Sequence, residues 1–161
     1  MAEADQNTPE AQQEAPQAVF NIEKLYVKDA SLEIPNAPQV FTVRENPQIN
    51  IDLQHKSNSI EDGIFEVTVT VTVTAKLQET TAFLIEVAQS GIFQIRNVPL
   101  EGLEGILGIT CPNILFPYLR ETVSDISVRA GFAPVLLNPI NFEALFMQQK
   151  QQQAAQTDTT H

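Results

Sequence analysis

The run Val67-Thr-Val-Thr-Val-Thr-Val-Thr74 leaves this chain little conformational choice. β-Branched residues alternating at a period of two put every valine on one face of a strand and every threonine on the other. A helix would scatter the same valines around its circumference. The strand extends over residues 64–77 and needs neighbours, which the sequence supplies. Ile49, Ile51 and Leu53 alternate with Asn50, Asp52 and Gln54, the pattern of a half-buried strand. Residues 81–88 form a further strand, continued by residues 91–98 past Ser90-Gly91, where a bulge is expected. Residues 20–32 mix apolar side chains with Lys and Asp, as an outer strand does. Turn signals at Glu61-Asp-Gly63 and Gln78-Glu79-Thr80 join the second, third and fourth strands into an antiparallel meander.

Two connections carry information. Residues 35–47 join the first two strands through Pro35, Pro38 and Pro47, with no strand pattern. Loops this long in a small domain are functional or disordered, and Val40, Phe41 and Val43 are residues that a disordered linker seldom concentrates. After the strands, Pro112 suits the first turn of a helix whose apolar face is Leu115, Tyr118 or Leu119, Thr122, Val123 and Ile126. Pro117 is expected to kink that helix or mark its start, and Gly131 to end it. Asn138 or Asn141 caps a second helix with Phe142, Leu145 and Phe146 on its apolar face. The fold class is α+β: a four-stranded antiparallel sheet with a long crossover loop, followed by two helices packed on one face.

Only part of the 161 residues serves this fold. Residues 1–18 are Glu, Gln, Ala and Pro without periodicity and are expected to be disordered. Residues 19–148 form the domain. Residues 149–161 are a flexible Gln-rich tail, read more readily as a solvated helix end than as an interaction region. Nine basic against twenty acidic residues give a net charge of −11, spread along the chain. That field disfavours nucleic acid and anionic membrane and favours basic partners, or serves solubility. One cysteine allows no internal disulfide, and with His55 and His161 as the two histidines a zinc site is nearly excluded. No leader pattern or membrane-spanning run is visible, so the cytoplasm is the expected compartment.

On the fourth strand Phe83, Ile85 and Val87 point one way, and Ala82, Leu84 and Ala88 the other. A helical layer covers one face, so a copy of the same chain is expected on the second. The face with Phe83, Ile85 and Val87 is assigned as an oligomer interface or core surface.

Candidate chemistry is thin. Asp29 and Glu33 share one face of the first strand, as Leu84 and Glu86 do on the fourth. If the two faces coincide, a leucine ringed by carboxylates would receive a basic peptide; a plain solvated face is the competing reading. A general acid/base pair needs burial or a cleft to separate two pKa values, and no cleft is indicated there. Cys111 at a helix start has no nearby histidine and reads as a small buried side chain. Ser124 and Ser127 also lack a base. Gly102, Gly105 and Gly108 are followed by no Lys-Ser/Thr, and Glu101 and Glu104 would repel phosphate, so this segment reads as a linker or a frayed helix turn.

Four stretches together resemble one family. Cys111-Pro-Asn-Ile-Leu-Phe-Pro-Tyr-Leu-Arg-Glu121, Asn138-Pro-Ile-Asn-Phe-Glu-Ala-Leu-Phe146, Tyr26-Val-Lys-Asp29 and Phe83-Leu-Ile-Glu86 resemble the SecB protein-export chaperones, in family order over residues 20–147. The resemblance implies an ATP-independent chaperone, not an enzyme, that needs no cofactor. It would bind unfolded preproteins and deliver them to the SecA translocation ATPase. It also implies a homotetramer built as a dimer of dimers. Asp29, Glu33, Leu84 and Glu86 match the residues that bind the zinc-containing tail of SecA. Val40, Phe41 and Val43, with Phe142, Leu145 and Phe146, match the client groove. Two departures stand out: Arg44-Glu45-Asn46 occupies a stretch where many relatives carry a Trp, and residues 102–108 differ from the usual family sequence. A SecB-like chaperone of a toxin–antitoxin system is the alternative reading; retention of all four acidic-face residues argues against it.

Overall fold

A computed structural model describes residues 14–157. Residues 14–18 are exposed and irregular; the rest of the expected N-terminal disorder, and the last four residues of the tail, lie outside the described residues. Four long strands follow: β1 (Val19–Glu33), β2 (Gln48–Glu61), β3 (Ile64–Leu77) and β4 (Thr80–Arg96). They form one antiparallel sheet in the order β1-β4-β3-β2. β2, β3 and β4 are the expected meander, and β1 returns beside β4 as an outer strand. The loop between β1 and β2 must therefore cross the ends of β4 and β3.

β3 carries the sheet. Val67, Val69, Val71 and Val73 are fully buried on the face beneath the helices. Each valine side chain removed from water is worth roughly 1.5–3 kcal/mol. Thr68, Thr70, Thr72 and Thr74 take the opposite face, where they pair with Ser90, Ala88, Glu86 and Leu84 of β4. That face is consequently polar around a few apolar side chains, and it does not need the second cover inferred from β4 alone. The bulge expected at Ser90-Gly91 is absent: β3 and β4 pair without a break through Val67–Gly91, Thr68–Ser90 and Val69–Gln89. Gly91 instead serves packing. A Cβ there would lie 2.8 Å from the Phe93 ring and 3.1 Å from Leu115, so its absence lets the helix settle onto β4. The irregularities fall elsewhere: β1 shifts register between Ile22 and Lys24 and between Val27 and Asp29, β2 between Ser59 and Glu61, and the β3–β4 pairing between Ala75 and Lys76.

The helical layer begins earlier than expected. α1 (Leu100–Gly105) passes through a π-helical turn (Ile106–Thr110) into α2 (Cys111–Arg129) with helical backbone throughout. Of the two readings of residues 102–108, a linker or a frayed helix turn, the structure supports the helical one, as continuous helix. The wider turn has a local cause. Proline at 112 cannot donate to the carbonyl four residues back, and its ring would crowd it. The Cys111 N–H bonds back to the Ile106 carbonyl, the i→i+5 spacing of a π turn. Cys111, Leu115, Leu119 and Val123 form the stripe buried on the sheet; Leu119 and not Tyr118 faces inward.

Gly131 ends this layer with φ +87°. Its N–H bonds to the Val128 carbonyl at 3.0 Å, and the Phe132 N–H to the Ser127 carbonyl at 3.2 Å. These two bonds satisfy the last helical carbonyls and turn the chain back on itself. α3 (Phe142–Thr157) starts at Asn141, whose side-chain oxygen accepts from the Ala144 N–H at 2.9 Å. Its residues from 149 to 157 are exposed along the whole helix.

Candidate functional site

Two surfaces emerge. The first is a groove of about 580 Å³ at the end of the sheet where β1 crosses to β2. The crossover (residues 34–47) holds a 3-10 turn, Gln39–Thr42, closed by the Thr42 hydroxyl donating to the Gln39 carbonyl at 2.7 Å. The Asn36 amide anchors the loop by donating to the Thr81 carbonyl at 3.0 Å. Val40 plugs the core at 3% exposure, while Phe41 and Val43 stay at 49% and 44%. Ile49 and Ile51 of β2 form one wall.

The opposite wall was not anticipated. It is the irregular segment after α2, from Gly131 through Phe132 and Val135 to Leu136. Phe132 lies 5.3 Å from the Phe41 ring and 4.7 Å from the Phe83 ring. Ser127, fully buried, fixes this wall: its hydroxyl donates to the Ser124 carbonyl at 2.8 Å and accepts from the Val135 N–H at 2.9 Å. Irregular backbone shows no periodicity, so the only cue available was the helix-stop glycine followed by Phe132 and Leu136.

The structure does not bring Phe142, Leu145 and Phe146 to this groove. Phe142 is buried, edge-on to Phe116 at 5.9 Å and to His55 at 6.2 Å. Burial holds the His55 pKa below its usual value. Phe146 lines a separate cavity of about 330 Å³ with His55, Leu107 and Gly108, under Lys150, whose Nζ lies 4.9 Å from the Phe146 ring centre. Leu145 is half-buried against the core. Phe83, Ile85 and Val87 also lie in the protomer's own core, beneath the helical layer. A second copy cannot reach them.

The second surface is the helix-free face of the sheet. Glu33 stands opposite Leu84, Ser31 opposite Glu86, and Asp29 opposite Ala88. Asp29, Glu33, Leu84 and Glu86 therefore share one face, with Leu84 half-exposed among exposed carboxylates. Thr72 donates to Glu86 at 3.2 Å. Alongside, Glu66 of β3 reaches across β4 to accept from the Tyr26 hydroxyl and to pair with Lys28 at 2.8 Å. Beneath it, the Thr68 and Ser90 hydroxyls share a hydrogen bond of 2.7 Å.

The Cys111 thiol is buried, and desolvation pushes its pKa up to about 12, away from nucleophilic use. Among the described residues no group of three or more His, Cys, Asp or Glu is placed to hold a metal ion, and no helix is long and apolar enough to cross a membrane.

An acidic sheet face and an apolar groove are surfaces suited to receiving other polypeptides. The sequence profile described as "Preprotein translocase subunit SecB" matches residues 12–153. A protein-export protein SecB from Methylobacillus flagellatus is 64% identical over 146 residues, covering 90% of this chain and 93% of its own. The one from Chromobacterium violaceum is 64% identical over 144 residues, covering 89% and 96%. The chain belongs to the SecB family and is a chaperone of protein export. A Mycobacterium tuberculosis SecB-like chaperone, solved with a ChAD peptide from the HigA1 antitoxin, shares the fold. Its TM-score is 0.63 at 16% identity, covering 75% of this chain and 90% of its own.

Proposed function

We propose that the groove beside the crossover loop is where unfolded precursor segments bind, without nucleotide and without a chemical step. The observation that carries this reading is the convergence of exposed Phe41, Val43, Ile49, Ile51 and Leu136 on one open groove. Soluble proteins rarely leave so many large apolar side chains contiguous unless something binds them. An extended client segment would lay side chains into this channel, while the open edge of β2 offers backbone groups that read no sequence. Leu145 and Phe146, with buried Phe142 behind them, would form a second subsite on the same protomer. Weak contacts along one client then add through effective concentration.

The acidic face, Asp29, Glu33, Leu84 and Glu86, is proposed as the dock for the zinc-containing tail of SecA, to which the cytoplasmic chaperone hands its client. Association into a homotetramer, a dimer of dimers, is proposed to use the helix-side face of β1. There Phe20, Ile22, Val27 and Leu32 stay partly exposed beyond the reach of α2, which replaces the Phe83, Ile85 and Val87 surface as the site of contact.

The test is refolding of a chemically denatured, slow-folding precursor with and without the chain, free of nucleotide. Stoichiometric arrest, released by SecA and membrane vesicles, supports the proposal. Unchanged refolding at several-fold excess overturns it.

A further inference from the structure

Side chains on a strand alternate, and on that rule Asp29 should face the helices. Tyr26 stands opposite Ser90 on the outer face and Val27 opposite Gln89 on the inner one. The next residue, Lys28, has no partner, and Asp29 takes the place opposite Ala88. One extra residue has entered the strand. The bulge reverses the parity of everything after it, bringing Asp29, Ser31 and Glu33 outward and Ala30 and Leu32 inward. Without it, Asp29 and Glu33 would both point at the helical side of the sheet.

Something must hold a bulge against reverting to regular pairing. The two residues flanking Val27, Tyr26 and Lys28, both bind the same carboxylate, Glu66, two strands away. Glu66 has 14% of its side chain exposed, so the pair is shielded from solvent at one end, while Lys28 is 44% exposed. The carboxylate fastens Tyr26, before Val27, and the bulged Lys28, after it, to a fixed point on β3.

We propose that Glu66, through Tyr26 and Lys28, is the positioning residue that keeps Asp29 and Glu33 on the docking face. This rests on the docking assignment made above. It makes a prediction opposite in sign to simple charge. Removing Lys28 makes the surface one unit more negative, which electrostatics alone would turn into tighter binding of a basic tail. Loss of the clamp turns it into weaker binding.

The experiment uses the full chain, titrated with the zinc-loaded C-terminal tail peptide of SecA in a calorimeter. The double variant Tyr26→Phe with Lys28→Met should bind about tenfold more weakly, the size of one good interface contact. Lys28→Arg, which preserves the pair, should bind as the parent does. Arrest of precursor refolding should be the same in all, showing that the fold and groove are intact. Unchanged or tighter binding by the double variant, while Glu86→Gln binds weakly, would overturn the clamp. Amide hydrogen exchange over residues 29–33 judges it independently of docking. Faster exchange in the double variant supports the clamp, and unchanged protection overturns it even where Glu86→Gln shows that the tail docks elsewhere.

Discussion

Phe132 sets its ring 4.7 Å from that of Phe83, tilted by 45°. One ring belongs to the buried face of β4 and the other to the wall of the groove, so the core and the binding surface are a single packing unit. The Phe41 ring also packs against Phe132, 5.3 Å away and tilted by 33°. Truncating Phe132 should therefore affect both properties, whereas Leu136, 70% exposed, should affect one. We expect Phe132→Ala to lower stability by about 1–3 kcal/mol and weaken client binding. Leu136→Ser should weaken binding at unchanged urea midpoint. Equilibrium unfolding beside refolding arrest separates the two.

Gly131 should not tolerate a side chain. At φ +87° any L-residue is strained, and a Cβ would come within 3.1 Å of the Phe41 ring. Gly131→Ala should cost about 1 kcal/mol from the backbone, and displace Phe41 as well. A variant with parental stability and parental client affinity would refute this reading of the turn.

Ser127→Ala leaves the buried Val135 N–H without the oxygen it now donates to. A lost partner of this kind costs about 1–3 kcal/mol. The midpoint of urea unfolding should fall while the slope stays the same, since the extent of buried surface is little changed.

Cys111 should be silent toward thiol reagents in the folded protein. Its raised pKa keeps it as the neutral thiol at neutral pH, and no solvent reaches it. Labelling at pH 8 should proceed at the rate of global opening and accelerate with urea along the unfolding curve. Rapid labelling of the native chain would contradict the packing of α2.

The pH dependence of stability should carry the mark of Glu66. Its pKa is lowered, first by the Lys28 hydrogen bond and then by that of Tyr26. A carboxylate with a depressed folded-state pKa contributes stability that is present above its unfolded value, about 4.3, and lost as pH falls through the folded one. Parent and Glu66→Gln should therefore differ most near neutrality and converge in acid. A gap that widens below pH 4 would reverse the assignment.

The sheet was legible because Val67–Thr74 states its period outright, and the meander because its turns carry Asp-Gly and Gln-Glu. The helical start at Leu100 was hidden by three glycines, whose low propensity is overridden by the packing of Leu103, Ile106 and Leu107 against the core and of the π turn against β2 and α3. Of the proposed docking face, residue spacing gave the pairs Asp29/Glu33 and Leu84/Glu86; only the register of β1 on β4 shows that the two pairs share a face. A one-residue bulge has no compositional signature, so Lys28 looked like any exposed lysine. Phe142, by its residue pattern alone, reads as ordinary core, and 1% exposure is what the structure shows; only the family resemblance placed it in the client groove, because one apolar stripe serves core and client alike until the neighbours are known.

The crossover loop has a consequence in length. Glu33 ends β1 on the acidic face, and Val40 begins the groove seven residues later. Fully stretched, that stretch spans at most about 25 Å. On this reading a captive chain and the motor that collects it are held within one short leash on each protomer, and the transfer is a step to an adjoining berth with no journey around the molecule.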